Sequence, residues 1–488
     1  MNHPSRLNPP IDWSAILGPL LVSGAEVAGG AITLGELAEL QSATLAYARR
    51  AIRPRPGLAD EALPFAVDPV PWFSAGRFLQ LDNGQPLLRP GGLVQHAAGD
   101  YYIQDAGSML ALALCGVQPG EWVCDACAAP GGKAGGLLEA LGGCGLLLAN
   151  EAIRSRVPQL ALTLERSGYG NHLTTNLELE ELSRACGPEF DCVLVDAPCT
   201  GQTLVGQGKQ SLAAFGPTQI AHSAARQQRL LDAAAGLVKP GGRLVYSTCA
   251  FSYAENEQVV LDFVQRHPGW ELDVCPALAD WQSPVASGCY RVWPHRQGCK
   301  GAFAARLVHA ADAVDSAPAP THLSGRSSSP RSPGPTNQRW HARRELPAEL
   351  AWMGLDPAAQ WYQTHDQLHR FDVGVPTAWL PVAVAGTPIA RCQPAGRGRG
   401  QPLERWTPCF GSSLLVPRET QLATCQLDDA QVVAYVAGES IRGQALGDQW
   451  CLVLWRGRRL GWGKLSQGTL KNHFPKPLRQ AAEVPAAG

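Results

Sequence analysis

Between positions 121 and 309 the chain alternates short apolar runs with longer stretches whose apolar residues fall three and four apart. Strands recurring at helix-length intervals must be joined by crossover helices, so this pattern restricts the fold more than any other feature of the chain, to a parallel sheet covered on both faces. The runs are Trp122-Val-Cys-Asp, Gly145-Leu-Leu-Leu-Ala-Asn-Glu, Asp191-Cys-Val-Leu-Val-Asp and Gly242-Arg-Leu-Val-Tyr-Ser-Thr, with a weaker one from His172 to Thr175. Stretches 153–167 and 219–238 carry the helical period, and Lys239-Pro-Gly-Gly is expected to stop the second. Ser252-Tyr-Ala-Glu255 fits a capping box ahead of Val259, Val260, Phe263 and Val264, which predicts a helix starting there and Cys249 on a strand-to-helix turn.

The whole chain of 488 residues, 45% of them hydrophobic, suggests about three domains. From Ala317 to Gln338 the composition turns to Ala, Pro, Ser and Gly, which cannot bury enough apolar surface to offset ordering. The expected division is an extension over 1–100, a catalytic part over 101–312, a flexible linker over 313–345 and a smaller C-terminal part over 346–482. No apolar run approaches the roughly 20 residues of a membrane span, and the polar opening from Met1 to Pro10 lacks a signal layout. A cytoplasmic chain without membrane contact is expected, monomeric by default. Fifteen cysteines dispersed through such a chain are expected as reduced thiols. The net charge of -1 excludes a globally basic surface, so any affinity for nucleic acid must be local.

Three constellations can carry chemistry. The first, Cys127-Ala128-Ala129-Pro130-Gly131-Gly132-Lys133, follows the strand ending at Asp125, and its glycines permit close approach of backbone to a ligand at a helix start. Glu151, about 20 residues on, stands where doubly wound nucleotide sites place an acid for ribose hydroxyls. The loop lacks the phosphate-cradling Gly-x-x-x-x-Gly-Lys-Ser/Thr pattern, so a nucleoside without phosphates, such as S-adenosylmethionine, fits better. The second and third are Asp196-Ala-Pro-Cys199-Thr-Gly201 and Ser247-Thr-Cys249, at the ends of the fourth and fifth strands. Ligands of open parallel sheets bind beyond the carboxyl ends of the strands, so two thiols and a carboxylate face one pocket. A thiolate beside a methyl donor suits methylation of a pyrimidine at C5, which is a poor nucleophile until something adds to C6. Cys249 or Cys199 must be that thiolate. Asp196 can bond the pyrimidine edge, and the other cysteine can help remove the C5 proton. Cys124 and Cys127 form a C-x-x-C, but no second pair completes a zinc site, and a strand would aim Cys124 at the core; no metal is expected.

Residues 101–309 resemble the NOL/NOP/Sun family of RNA cytosine-C5 methyltransferases. The resemblance rests on Tyr102-Ile-Gln-Asp-Ala-Gly-Ser108, the loop from Cys127 to Lys133, Asp196-Ala-Pro-Cys199, Tyr246-Ser-Thr-Cys249, Glu255-Asn-Glu257, Trp293-Pro-His and Gly301-Ala-Phe. It implies a Rossmann-like fold using S-adenosylmethionine, with Cys249 as nucleophile, Cys199 assisting breakdown of the adduct, and Lys133 and Asp196 in the site. Pro69-Val-Pro-Trp72, Leu148-Ala-Asn-Glu151, Gly461-Trp-Gly-Lys464 and Leu470-Lys-Asn-His-Phe-Pro-Lys476 are similar to the bacterial RsmF-like branch. That likeness implies 16S ribosomal RNA, or the small ribosomal subunit, as partner, and a β-rich, PUA-like RNA-binding C-terminal part. Transfer RNA as substrate, or a silent assembly factor, are the alternatives. Arg456, Arg458, Arg459, Lys464, Lys471 and Lys476, interleaved with Trp455, Trp462 and Phe474, are expected to hold phosphates and unstacked bases. The chain departs from the family pattern in carrying Asn176, expected on the adenine side of the cofactor, where an acid is usual, and Val205-Gly-Gln-Gly-Lys209-Gln where a basic residue and an Asn/Asp-Pro pair are usual. The family's RNA-binding extension is matched only around Ala51-Ile-Arg-Pro-Arg-Pro56.

Overall fold

The protein is described here by a computed structural model covering residues 11–23, 29–46, 48–80, 89–310, 340–393, 405–444 and 447–485. All five expected strands form: β1 (Trp122–Asp125), β2 (Leu146–Asn150), β3 (His172–Thr175), β4 (Phe190–Asp196) and β5 (Val238–Thr248). They run parallel in the order β5-β4-β1-β2-β3, and β6 (Ala302–His309) lies antiparallel outside β5. Alternation along each strand divides the core into two layers. Leu146, Leu148, Val193, Val195 and Leu244 meet the helices Leu179–Cys186, Pro217–Ala235 and Glu257–Arg266 on one side. Leu147, Ala149, Cys192, Leu194 and Val245 meet Gly132–Leu141 and Val157–Glu165 on the other. With both faces covered the central strands can be apolar throughout, and every residue of β2 is buried. The order reverses at β1, between β4 and β2, which opens a crevice beyond the carboxyl ends of these strands.

Two local expectations are corrected. The Lys239-Pro-Gly-Gly signal lies inside β5, not at a helix end: the helix stops at Ala235, Val238 already pairs with Phe190, and a bulge absorbs the residues before Arg243 pairs with Cys192. No capping box forms at Ser252, and the helix starts at Glu257. The Glu255 carboxylate turns inward to Thr200 instead, and the Ser252 amide donates to Gln202 Oε1 at 3.0 Å.

The C-terminal segment divides between two sheets. Strand β7 (Ala383–Gln393) pairs antiparallel with β3, and Gln367–Phe371, Gln360–Gln363 and His341–Arg343 follow it outward, giving a 13-stranded sheet. An open edge at β3 would expose unpaired amides and carbonyls, and the added strands remove it. Trp379 completes the junction by stacking on Phe190 at 5.1 Å. His341–Arg343 thus forms a strand within the span expected as linker, whereas 311–339 lies outside the described residues. Residues 424–472 build a separate five-stranded sheet around the helix Asp429–Ala437. Near the start of the chain, Ala51–Pro54, Val67–Val70, Phe73–Leu79 and Tyr101–Ile103 form a four-stranded antiparallel sheet. All fifteen cysteines are free, and no helix among the described residues is long and apolar enough to cross a membrane.

Candidate active site

A cavity of about 420 Å³ occupies the crevice beyond β1 and β4. Cys127, Ala128, Ala129, Pro130, Gly132 and Lys133 line it, together with Asp196, Cys199 and Cys249. Gly131 makes the turn into the helix at φ 107°, and a Cβ there would stand 2.7 Å from Thr163 Cβ, so both conformation and packing require glycine. The helix start is held from behind by Arg53, which is fully buried, donates to Gly132 O at 2.9 Å and pairs with Glu139. The motif Ala51 to Pro56 therefore includes a structural arginine.

The two sulfurs stand 3.1 Å apart, a consequence of β4 and β5 being neighbours in register, with Asp196 paired to Ser247. The Cys199 thiol donating to it lowers the pKa of Cys249; burial and Asp196 oppose this, and Lys133 and Thr203 reinforce it. The same contact, with burial and the Glu255 charge, pushes Cys199 well up. The contact therefore makes Cys249 the more acidic sulfur of the pair and Cys199 the less acidic one. Lys133 Nζ lies 2.7 Å from Asp196 Oδ2. Burial works against its ammonium, but the Asp196 charge and hydrogen bond outweigh burial and raise the lysine pKa. Asp196 Oδ1 accepts from Ser247 Oγ at 2.8 Å, leaving further lone pairs on both oxygens for a ligand.

Glu255, Asn256 and Glu257 are all fully buried, and each holds one piece of the two cysteine loops. Glu255 accepts from Thr200 N at 2.9 Å and Thr200 Oγ1 at 2.6 Å, which fixes the loop after Cys199. Asn256 donates to Ala250 O at 2.9 Å and accepts from Thr248 Oγ1 at 2.5 Å, clamping the turn that carries Cys249. Glu257 forms a two-pronged pair with Arg291, whose Nη1 donates to Phe251 O at 3.0 Å. Gln202 Oε1 accepts from Phe251 N at 2.7 Å and ties one loop to the other. Reasoning from the residues missed Gln202 and Arg291, because neither stands in a spaced motif; their partners are far away in sequence.

Asp125 is a further site residue that sequence reasoning left out. It lines the cavity and is buried, and its Oδ2 has no partner among the described residues; burial, then the charge of Asp196, push its pKa up to about 7. An orphaned carboxyl beside a glycine-framed cavity suits the cationic end of S-adenosylmethionine, so the residues present fit that cofactor. Glu151 and Asn176 do not line the cavity. The Glu151 carboxylate is buried at the end of β2, accepts from Ile153 N at 2.9 Å and pairs with Arg156 at 3.1 Å. Asn176 donates through Nδ2 to the carbonyls of Glu151 and Ala152, at 2.5 and 2.9 Å, so its amide ties two strand ends together. Cys124 is fully buried in the core beneath β1. The stretch 205–210 packs closely on the helix Leu37–Leu45: a Cβ at Gly206 would meet Thr44 O at 2.4 Å.

In the C-terminal sheet the expected aromatic platform does not exist. Trp455 and Trp462, on the strands Gln449–Trp455 and Arg458–Ser466, and Phe474, just past the strand Thr469–Asn472, are at most 1% exposed, because all three pack into the core. Their basic neighbours separate into two groups. Arg456, Arg458 and Arg459 line one cleft, whereas Lys464, Lys471 and Lys476 are exposed outside it.

The profile of the 16S rRNA methyltransferase RsmB/F family matches residues 111–308, and that of the methyltransferase RsmF PUA domain matches 423–480. Ribosomal RNA small subunit methyltransferase F of Klebsiella pneumoniae is 30% identical over 421 residues, 84% of each chain. The protein of that name from Escherichia coli is 28% identical over 423 residues, 85% of each. The crystal structure of PH0851 is 26% identical, with a TM-score of 0.50 over 56% of this chain and 62% of that one. Both profiles match in one chain, relatives align with it over 84% or more of its length, and the chain belongs to the RsmB/F family of S-adenosylmethionine-dependent ribosomal RNA methyltransferases.

Proposed function

We propose that this chain methylates C5 of a cytosine in 16S ribosomal RNA by way of a bond between Cys249 Sγ and C6 of the base. The observation that carries the reading is the sulfur pair 3.1 Å apart in the cavity beyond the strand ends, with the acidity of Cys249 raised and that of Cys199 lowered by their contact. S-adenosylmethionine, when bound, supplies an electrophilic methyl group. The target base must be unstacked to enter, because C5 and C6 are reached from its faces. Asp196, paired with Lys133, accepts from the exocyclic amine and orients the ring. The Cys249 thiolate forms the S–C6 bond, and the displaced ring electrons give C5 the nucleophilic character to take the methyl group.

Bond formation removes the charge on Cys249. The influence that kept Cys199 protonated is then gone, so it can release its proton to solvent. As a thiolate it takes the proton from methylated C5. The C–H electron pair restores the C5–C6 double bond, the S–C6 bond breaks, and its pair returns to Cys249. The protein acts as a monomer in the cytoplasm, with the N-terminal sheet and the PUA-like sheet holding the RNA; Arg456, Arg458 and Arg459 contribute cationic contacts, and Lys464, Lys471 and Lys476 add a second exposed basic face.

The test is bisulfite sequencing of 16S ribosomal RNA from cells with and without the gene, rescued by wild type or by Cys249→Ala. A cytosine protected only by wild type supports substrate, reaction and nucleophile together. Protection in transfer RNA alone would replace the substrate, and no protection anywhere would leave an RNA-binding assembly factor.

A further inference from the structure

A second cavity, of about 590 Å³, forms where four segments meet: 55–58, 98–100, 417–424 and 452–459. Arg55, Arg418, Arg456, Arg458 and Arg459 line it, against one carboxylate, Asp100. Arg458 Nε donates to Asp100 at 2.5 Å, and Arg456 is paired at 2.6 Å with Asp429, which is not part of the lining. Arg459 donates to the carbonyls of Ser413 and Val416, at 2.9 and 2.5 Å, which orients the guanidinium without neutralising it. Among the described residues no carboxylate pairs with Arg55, Arg418 or Arg459. Burial, then the charges of Arg418 and Arg55, hold Arg459 below its ordinary pKa. Like charges gathered from separate segments at the wall of a cavity raise the local concentration of anions there.

The cleft and the catalytic cavity are neighbours. A small cavity between the two shares Arg55 and Pro56 with the cleft and Tyr102 with the catalytic cavity, and adds Arg166. Arg166 Nη2 donates to His96 O at 2.7 Å, again a neutral acceptor. Arg156 continues the series on the catalytic wall.

We propose that the cleft binds the phosphate backbone of the RNA strand beside the reacting nucleotide, with Arg55, Arg418 and Arg459 as phosphate ligands and the Arg166–Tyr102 rim leading the strand to the sulfurs. This rests on the RNA reading above. It explains why 55–58, on the N-terminal sheet, and 452–459, on the PUA-like sheet, meet over one cavity: neither segment supplies enough cations alone.

The test uses the full-length protein with the double variant Arg55→Ala/Arg418→Ala, whose side chains anchor nothing in the core. Loss of two phosphate contacts should raise KM for RNA about tenfold near 150 mM salt and reduce the slope of log affinity against log salt by about 1.5. The turnover number and S-adenosylmethionine affinity should stay within about twofold, and Arg55→Lys/Arg418→Lys should recover most of the loss. Lys464→Ala/Lys471→Ala, outside the cleft, should cost less than the arginine pair. Unchanged KM and salt slope in the arginine variant, or an equal loss from the lysine pair, would overturn the cleft while leaving the methyltransferase reading intact. Wild-type protein that transfers no methyl to RNA would sink that reading instead, and the salt slope of RNA binding alone would still decide the cleft.

Discussion

Replacing Cys199 with alanine should make Cys249 a weaker acid. The two sulfurs lie 3.1 Å apart, and a Cys199 thiol donating across that distance favours the Cys249 thiolate. A hydrogen bond to a charged group is worth about 1.5–3 kcal/mol, so its loss should shift the titration of Cys249 upward and slow its alkylation near neutral pH by about tenfold or more. Lys133 and Thr203 remain in the variant and still favour the thiolate, which places the expected effect toward the lower end. The assay is the rate of alkylation of Cys249 by iodoacetamide between about pH 6 and pH 10, read peptide by peptide by mass spectrometry. Exposed Cys144 serves as the reference thiol within the same sample. An unchanged midpoint would refute Cys199 as the donor, and a downward shift would mean that Cys199 is the more acidic of the two.

Cys249→Ala should abolish methyl transfer, while calorimetry shows S-adenosylmethionine affinity within about threefold of wild type, since the sulfur touches the base and not the donor. Cys199→Ala should retain the RNA covalently after the methyl is transferred, giving a band shifted on a denaturing gel that is absent in the Cys199→Ala/Cys249→Ala double variant. Arg291→Met strands the fully buried Glu257 carboxylate and should destabilise the fold by about 3–5 kcal/mol, a melting-point drop visible by calorimetry. Stability should also fall in mild acid. Burial lowers the pKa of His172 to about 4, and burial with the His172 charge lowers that of His369 to about 3. The unfolded chain protonates both first, from pH 6.5 downward, so folding loses about 2 kcal/mol per histidine by about pH 5. His172→Phe/His369→Phe should flatten that part of the profile, and thermal melts at stepped pH check it.

The catalytic fold was legible because its signals are local. A buried parallel strand must be an apolar run, a crossover helix must show its period, and β1 to β5 lie where those patterns fall. The glycine loop, Asp196, Cys199 and Cys249 could be assigned to one pocket because a parallel sheet puts its strand ends together whatever the loops do. Patterning also misled. Trp455, Trp462 and Phe474 read as exposed platforms beside basic residues, but all three pack into the core, and a linear string of residues does not say which face is covered. Ser252 to Glu255 read as a cap because the competing partner of Glu255, Thr200, is 55 positions away.

Sequence by itself determined the α/β class, the strands and the meeting of Lys133, Asp196, Cys199 and Cys249 at one pocket, since these follow from periodicity and from where a parallel sheet ends its strands. Tertiary structure decided which sulfur is the more acidic, because that depends on Lys133, Thr203 and Glu255 standing at particular places around the pair. It decided that strands within 341–393 and the strand Arg405–Pro408 extend the catalytic sheet, and that arginines more than three hundred positions apart share one cleft. Both are long-range pairings, set by edge coverage and packing between segments, and the energy that selects them is not contained in either segment alone.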